Sequence, residues 1–248
     1  ARAGVLAAKG TSHLLSPYKG KTLGPIVARF FSNHMLGIDK DYTGYLNYYE
    51  GMILAVSILT VFAVSYFIVK KSTRVKALVL TVFLVFLTIM PLTSRILVFT
   101  KHSYRWTFMI CFVEALVIGC FLQDVFREKN RKTVLAGSIL AIVICGGLLV
   151  WMYSFKNIKP DHKVTAGVIG FLAVYLILFA VGISVKKMYR IFPAAVLLVL
   201  ICELFVLDYP SLWHRESPTR NQVATEYYND GTKEAVAMLK EQDDSVYR

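Results

Sequence analysis

The sequence predicts an all-α protein: a polytopic helical membrane bundle of about six transmembrane helices, leading into the start of an extracytoplasmic domain. Three observations carry that reading. Of 248 residues, 56% are hydrophobic, and the mean hydropathy is strongly positive. The apolar residues come in blocks of 17 to 23 with almost no charge, the length that crosses about 30 Å of hydrocarbon at about 1.5 Å per residue. Lys and Arg collect in the short loops between blocks, where they mark membrane topology. That placement accounts for the net charge of +12, so nucleic acid is not an expected partner.

Residues 1–49 carry six Lys or Arg, and Gly10, Pro17, Gly20, Gly24 and Pro25 interrupt them, so no full span fits. The stretch from Pro25 to Phe31 reads either as a short interfacial helix or as a surface-packed connector. Tyr42, Tyr45, Tyr48 and Tyr49 form a belt suited to the headgroup level just before the first span. The whole segment 1–49 is therefore expected to be extracytoplasmic or interfacial. Six spans follow, at about 50–69, 77–93, 106–126, 133–155, 164–185 and 191–207. Pro91 lies near the end of the second, and Gly137, Gly146 and Gly147 in the fourth are places for close helix approach.

Residues 208–248 turn polar. Asn229-Asp230-Gly231 is a turn that caps a short helix from Lys233 to Glu241, with Ala235, Val236, Met238 and Leu239 on its apolar face. This is expected to open an extracytoplasmic domain. The chain begins at Ala1 without Met or a signal peptide and stops without a natural tail pattern, so it is expected to be part of a longer protein.

Orientation comes from the loops. Those after spans one, three and five hold four, four and three Lys or Arg; those after spans two and four hold three each. The first group is the more compact and flanks the span ends, which puts it in the cytoplasm and both the N-terminal segment and the C-terminal tail outside. Cys111, Cys120, Cys145 and Cys202 all lie in apolar runs without metal or redox spacing and read as buried thiols at helix interfaces.

Ionisable groups within or at the ends of spans carry the chemical information, because an unpaired charge in hydrocarbon costs several kcal/mol, ~3 on insertion scales. Glu50, Glu114, Asp124 and Glu203 qualify. Asp124 suits a local pair with Arg127. Glu50 is either a solvated helix start or a group facing a substrate groove. Glu114 and Glu203 are too short to snorkel, and a structural ion pair with Arg95 or Arg105 accounts for both without catalysis. Arg95, Lys101, His102 and Arg105 fall within eleven residues between two apolar runs. Arg105-Trp106 alone is an ordinary interface anchor; the clustering suggests a rim that holds a lipid phosphate. His13, His34, His162 and His214 are isolated, and no metal site is expected. There is no glycine-rich phosphate loop, GxSxG or HExxH.

The order of features carries a resemblance. Gly44-Tyr45-Leu46-Asn47-Tyr48-Tyr49-Glu50-Gly51 leads into one span, and Tyr104-Arg105-Trp106-Thr107-Phe108 heads another. Glu203-Leu204 lies near the end of the last span. Asp230-Gly231-Thr232-Lys233-Glu234-Ala235-Val236, Leu239-Lys240, Asp243 and Tyr247-Arg248 follow. Together these resemble the middle to C-terminal part of YfhO-like bacterial integral membrane proteins. The resemblance implies a GT-C type glycosyltransferase of the bacterial cell membrane, linked in Gram-positive bacteria to decorating lipoteichoic acid or another envelope polymer. Its implied partners are a polyprenyl-phosphate-linked sugar such as one on undecaprenyl phosphate, membrane lipids and the envelope polymer acceptor, with no cofactor. In that class the catalytic Asp lies in the first external loop near the N-terminus of the full protein. Asp39 and Asp41 do not match it, so the catalytic residue is expected outside this chain. Arg95, Lys101, His102 and Arg105 are then the substrate-binding residues, with Glu50, Glu114 and Glu203 as supporting carboxylates. Two other classes stay open: a transporter or flippase for a lipid-linked or anionic solute, using Glu114 and Glu203, and a membrane scaffold.

Overall fold

A computed structural model describes residues 22–37, 42–43, 53, 56–98, 105–128, 130–184, 191–207 and 238, without the side chains of 94, 95, 98, 105, 128, 183 and 184. The chain divides into two units, 1–213 and 214–248. In the second, Met238 is helical and exposed; the rest of the helix expected over 233–241 lies outside the described residues.

Among the described residues there are eight α-helices and no strand. They are α1 (Leu23–Arg29), α2 (Leu59–Val69), α3 (Arg74–Ile89), α4 (Pro91–Val98), α5 (Phe108–Glu128), α6 (Arg131–Tyr153), α7 (His162–Ser184) and α8 (Phe192–Leu207). A 3₁₀ turn, Arg105–Thr107, precedes α5. Three of these helices are long and apolar enough to cross a membrane, over Phe108–Arg127, Arg131–Tyr153 and His162–Gly182. Two more, Leu59–Val69 and Phe192–Leu207, are apolar but shorter. Phe83, Phe112, Val143, Ile177, Leu198 and Phe205 all lie more than half exposed on the outer faces of α3 and α5 to α8. So much exposed apolar surface suits lipid and not water. This is a helical membrane bundle.

The central element is α2, which packs against α3, α5 and α6. Phe62 and Tyr66 of α2 meet Phe121 of α5 and Tyr175 and Phe179 of α7, with ring centroids 5.2–5.7 Å apart. Phe192 closes the cluster from α8, 5.7 Å from Phe179. Such tilted and edge-on ring pairs fill the interior efficiently. Two contacts fix direction: Val56, before α2, meets Glu114 early in α5, and Lys70, after α2, meets Asp124 late in α5. Hence α2 and α5 run parallel. Tyr66, late in α2, meets Gly137, early in α6, so those two run antiparallel.

Local chemistry explains several differences from the sequence reading. The second apolar block breaks at Met90, whose backbone is extended, before α4 starts on Pro91. Proline disfavours helical geometry in the residue before it and suits the first position of a new helix. Asp124 pairs with Lys70, 2.7 Å away in the loop after α2, in place of the local Arg127 pair expected from spacing. Of the cysteines, Cys145 is buried and Cys111 half-buried, while Cys120 and Cys202 are exposed on the apolar outside, contrary to the interface packing expected. Gly137 does admit a neighbouring helix, but a side chain at Gly146 or Gly147 would meet nothing within 4 Å.

The largest departure is α1. The segment from Pro25 to Phe31 is not packed on the surface; Gly24 to Arg29 and Phe31 are buried within the protein. Ile26, Val27, Ala28 and Phe31 supply the apolar surface that places it inside. The following turns tie it to three other elements. Ser32 Oγ donates to the Leu207 carbonyl at the end of α8 (2.7 Å), and Asp161 N–H donates to the Met35 carbonyl (2.7 Å). Ile53 N–H donates to the Arg29 carbonyl (3.1 Å). Residues 22–37 therefore close the end of the bundle where α6 and α8 finish and α7 begins.

Candidate functional site

The first apolar block has no break in its composition, yet its helix begins only at Leu59. Eleven residues rise about 16 Å, roughly half the hydrocarbon thickness. Val56, Ser57 and Ile58 precede that start without forming helix. Their N–H groups cannot be left unsatisfied in an apolar interior. The two carboxylates inside α5 and α8 answer that need for Val56 and Ile58.

Glu203 is 2% exposed, on α8. Its Oε1 accepts from Ile58 N–H at 2.6 Å, and its Oε2 accepts from Ser57 Oγ at 2.5 Å and from Tyr175 OH at 2.7 Å. Ser57 Oγ in turn accepts from Leu59 N–H at 2.9 Å. Glu114, 3% exposed on α5, accepts from Val56 N–H at 3.1 Å through Oε2. Glu203 thus holds the N–H of Ile58, the residue that leads into α2, and Glu114 holds that of Val56, two residues earlier. Hydrogen bonds of this kind contribute about 0.5–1.5 kcal/mol each, and a buried donor left without its acceptor costs more. The described partners of Glu114 and Glu203 are therefore amides and hydroxyls.

This arrangement limits what the two groups do chemically. A general base needs an oxygen within hydrogen-bond reach of the proton it takes. Both oxygens of Glu203 are engaged by its own neighbours, and the residue is enclosed by α2, α7 and α8. Glu203 positions structure around it.

A second buried ionic group lies at the same end, and the sequence reading did not single it out. Arg29, the last residue of α1, is 1% exposed; Nη2 donates to Tyr42 OH at 3.1 Å, and the guanidinium carbon sits 5.9 Å from that ring's centroid. Tyr42 is accordingly packed against the core. The nearby 3₁₀ turn is anchored by Trp106, 2% exposed, in a small cluster with Ile26 of α1, Ile53 and Ile110 of α5. Trp106 is thus an interior anchor, not a ring at the lipid surface, and it fixes the backbone of Arg105 beside α1.

Of the expected substrate-binding residues, Arg105 is described in the 3₁₀ turn and Arg95 in α4 as backbone only; Lys101 and His102 lie outside the described residues, as does Glu50. The structure brings Glu114 and Glu203 to one helix start. Ser57 and Tyr175, the hydroxyl partners of Glu203, were missed because a single hydroxyl in an apolar run has no sequence signal for pairing. Arg29 had one: a lone cation inside Pro25-Ile26-Val27-Ala28-Arg29-Phe30-Phe31.

A family model described as bacterial membrane protein YfhO matches residues 19–248. No match was found among curated proteins or among solved structures.

Proposed function

The chain belongs to the YfhO family of bacterial membrane proteins, and from that premise we propose that it is part of a multi-pass glycosyltransferase of the bacterial cell membrane. It moves a sugar from a polyprenyl-phosphate carrier to an envelope polymer such as lipoteichoic acid on the outer face. The N-terminal segment and the C-terminal tail lie outside, so the end of the bundle closed by α1 faces outward. The observation that carries this reading is the gathering of ionic groups at that end of the bundle. Arg29 is buried in α1, the Arg105 backbone is pinned beside α1 by Trp106, and Glu114 lies below on α5.

In such a transfer a carboxylate supplied by another part of the full protein takes the proton of the acceptor hydroxyl. The acceptor oxygen bonds to the anomeric carbon as the bond to the carrier phosphate breaks. Arg105, with Arg95, Lys101 and His102, holds the departing lipid phosphate, whose charge grows in the transition state. In the full-length protein, Arg105→Ala should lower sugar transfer by about 100-fold or more while leaving membrane insertion unchanged. Unchanged transfer removes Arg105 from this role. Unaltered sugar content of the envelope polymer in a deletion strain counts against the enzyme as a whole.

The late start of α2 favours a second reading, a transporter, since carriers often place broken helices at their binding sites. In those sites a helix N-terminus is open to an anionic solute. Here Glu203 already holds the N–H of Ile58 at the start of α2, and Glu114 that of Val56 just before it, which weighs for the enzyme. Solute flux in proteoliposomes without any sugar transfer would reverse that preference.

A further inference from the structure

At the other end of α2, away from Glu203, lies a cleft of about 400 Å³, within the range of ligand-binding cavities. It forms because α3 and α5 both pack on α2 and leave a wedge between them. Phe67, Leu80 and Leu116 line its apolar walls, and Leu116 is 67% exposed, so the wedge opens sideways onto the apolar outer surface. Its polar lining is Thr73, Lys76, Gln123 and Asp124. Asp124 is already neutralised by Lys70 at 2.7 Å. Arg74 caps the end of α2, donating to the Ile68 and Val69 carbonyls. Lys76 is exposed at the cleft. Residues 70–76 and 124–132 together hold eight Lys or Arg against two acids.

We propose that this cleft is a binding site for an anionic phospholipid of the surrounding bilayer, with one acyl chain in the wedge and the phosphate headgroup on Lys76. An aqueous solute is disfavoured by the apolar walls and the lateral opening. A zwitterionic lipid gains little from the cationic rim, whereas each Lys or Arg near an anionic headgroup adds attraction. The site is independent of the transferase reading, since it sits at the opposite end of α2.

The test uses the full chain in vesicles of phosphatidylcholine with a minor fraction of phosphatidylglycerol. After extraction, native mass spectrometry counts retained lipids. The wild type should retain phosphatidylglycerol in preference to phosphatidylcholine. Lys76→Glu should lower that retention by about fivefold or more, and Ala77→Phe, which fills the wedge, should lower it for both lipids. Lys156→Glu, an equal charge change in the α6–α7 loop, should leave it unchanged. Three outcomes overturn the site: equal retention of the two lipids by the wild type, equal losses from Lys76→Glu and Lys156→Glu, or full retention by Ala77→Phe. Lys76→Glu alters an exposed side chain, so the proposal stays testable if Ala77→Phe fails to fold.

Discussion

Replacing Glu203 with leucine is expected to destabilise the bundle by about 3–5 kcal/mol. Three donors, Ile58 N–H, Ser57 Oγ and Tyr175 OH, converge on that carboxylate. Leucine fills comparable space but accepts nothing. Each buried donor left unsatisfied costs about 1–3 kcal/mol. Hydrogen bonds measured within membranes average only about 0.6 kcal/mol because the unfolded chain also finds partners. Three bonds at that lower figure would give roughly 2 kcal/mol, and leaving all three buried donors without an acceptor raises the sum. Thermal unfolding in detergent should fall by about 10 °C. Glu203→Gln should cost less, since it keeps one carbonyl acceptor. Glu114→Leu should also cost less, since one donor, Val56 N–H, is released. Equal stability of Glu203→Leu and wild type would mean that the α2 start is satisfied by something else.

Gly137→Ala is expected to cost about 1–3 kcal/mol, although alanine is the better helix former. A Cβ at Gly137 would lie 2.8 Å from Tyr66 Cα and 3.0 Å from Tyr66 N. Those are backbone atoms, which no rotamer change can move aside. To relieve the contact α6 must back away from α2, loosening the ring cluster of Tyr66 and Phe121. Gly146→Ala is the matched control: the same helix, the same chemistry, and nothing within 4 Å of the added carbon. It should be neutral or stabilising by up to ~1 kcal/mol. If both substitutions shift the unfolding midpoint alike, close helix contact at Gly137 is not what limits packing.

The fold class was legible because lipid demands something simple of a sequence, namely long apolar blocks with charge between them. The blocks set at 133–155 and 164–185 overlap the helices Arg131–Tyr153 and His162–Ser184, each of which starts two residues earlier. The first block was legible as apolar but not as partly non-helical. Residues 56–58 are not helical, and carboxylates 58 and 145 positions later take the N–H groups of Val56 and Ile58; no local propensity encodes partners from so far away. Glu114 and Glu203 stood out as charges where charge is costly, yet backbone partners have no letter in the sequence. The segment around Arg29 was misread for a related reason. It is too short to cross a membrane, and periodicity does not reveal that a bundle will leave its end open for a seven-residue helix.

The capping of α2 also bears on biosynthesis. As the chain is made from its N-terminus, α2 is synthesised well before α5 brings Glu114, and long before α8 brings Glu203. Until then Ile58 and Ser57 lack the acceptor they have in the finished bundle. The early helices must therefore wait, in contact with the insertion machinery or with water, for a residue near the end of α8. Ser32, whose hydroxyl bonds to the Leu207 carbonyl, waits longer still. Translation intermediates arrested before α8 is inserted should be cut readily by membrane proteases, and resistance should rise in one step once residue 207 has been inserted. A gradual rise with chain length would indicate that the helices are stabilised pairwise as they enter, with the buried carboxylates adding nothing to their order of assembly.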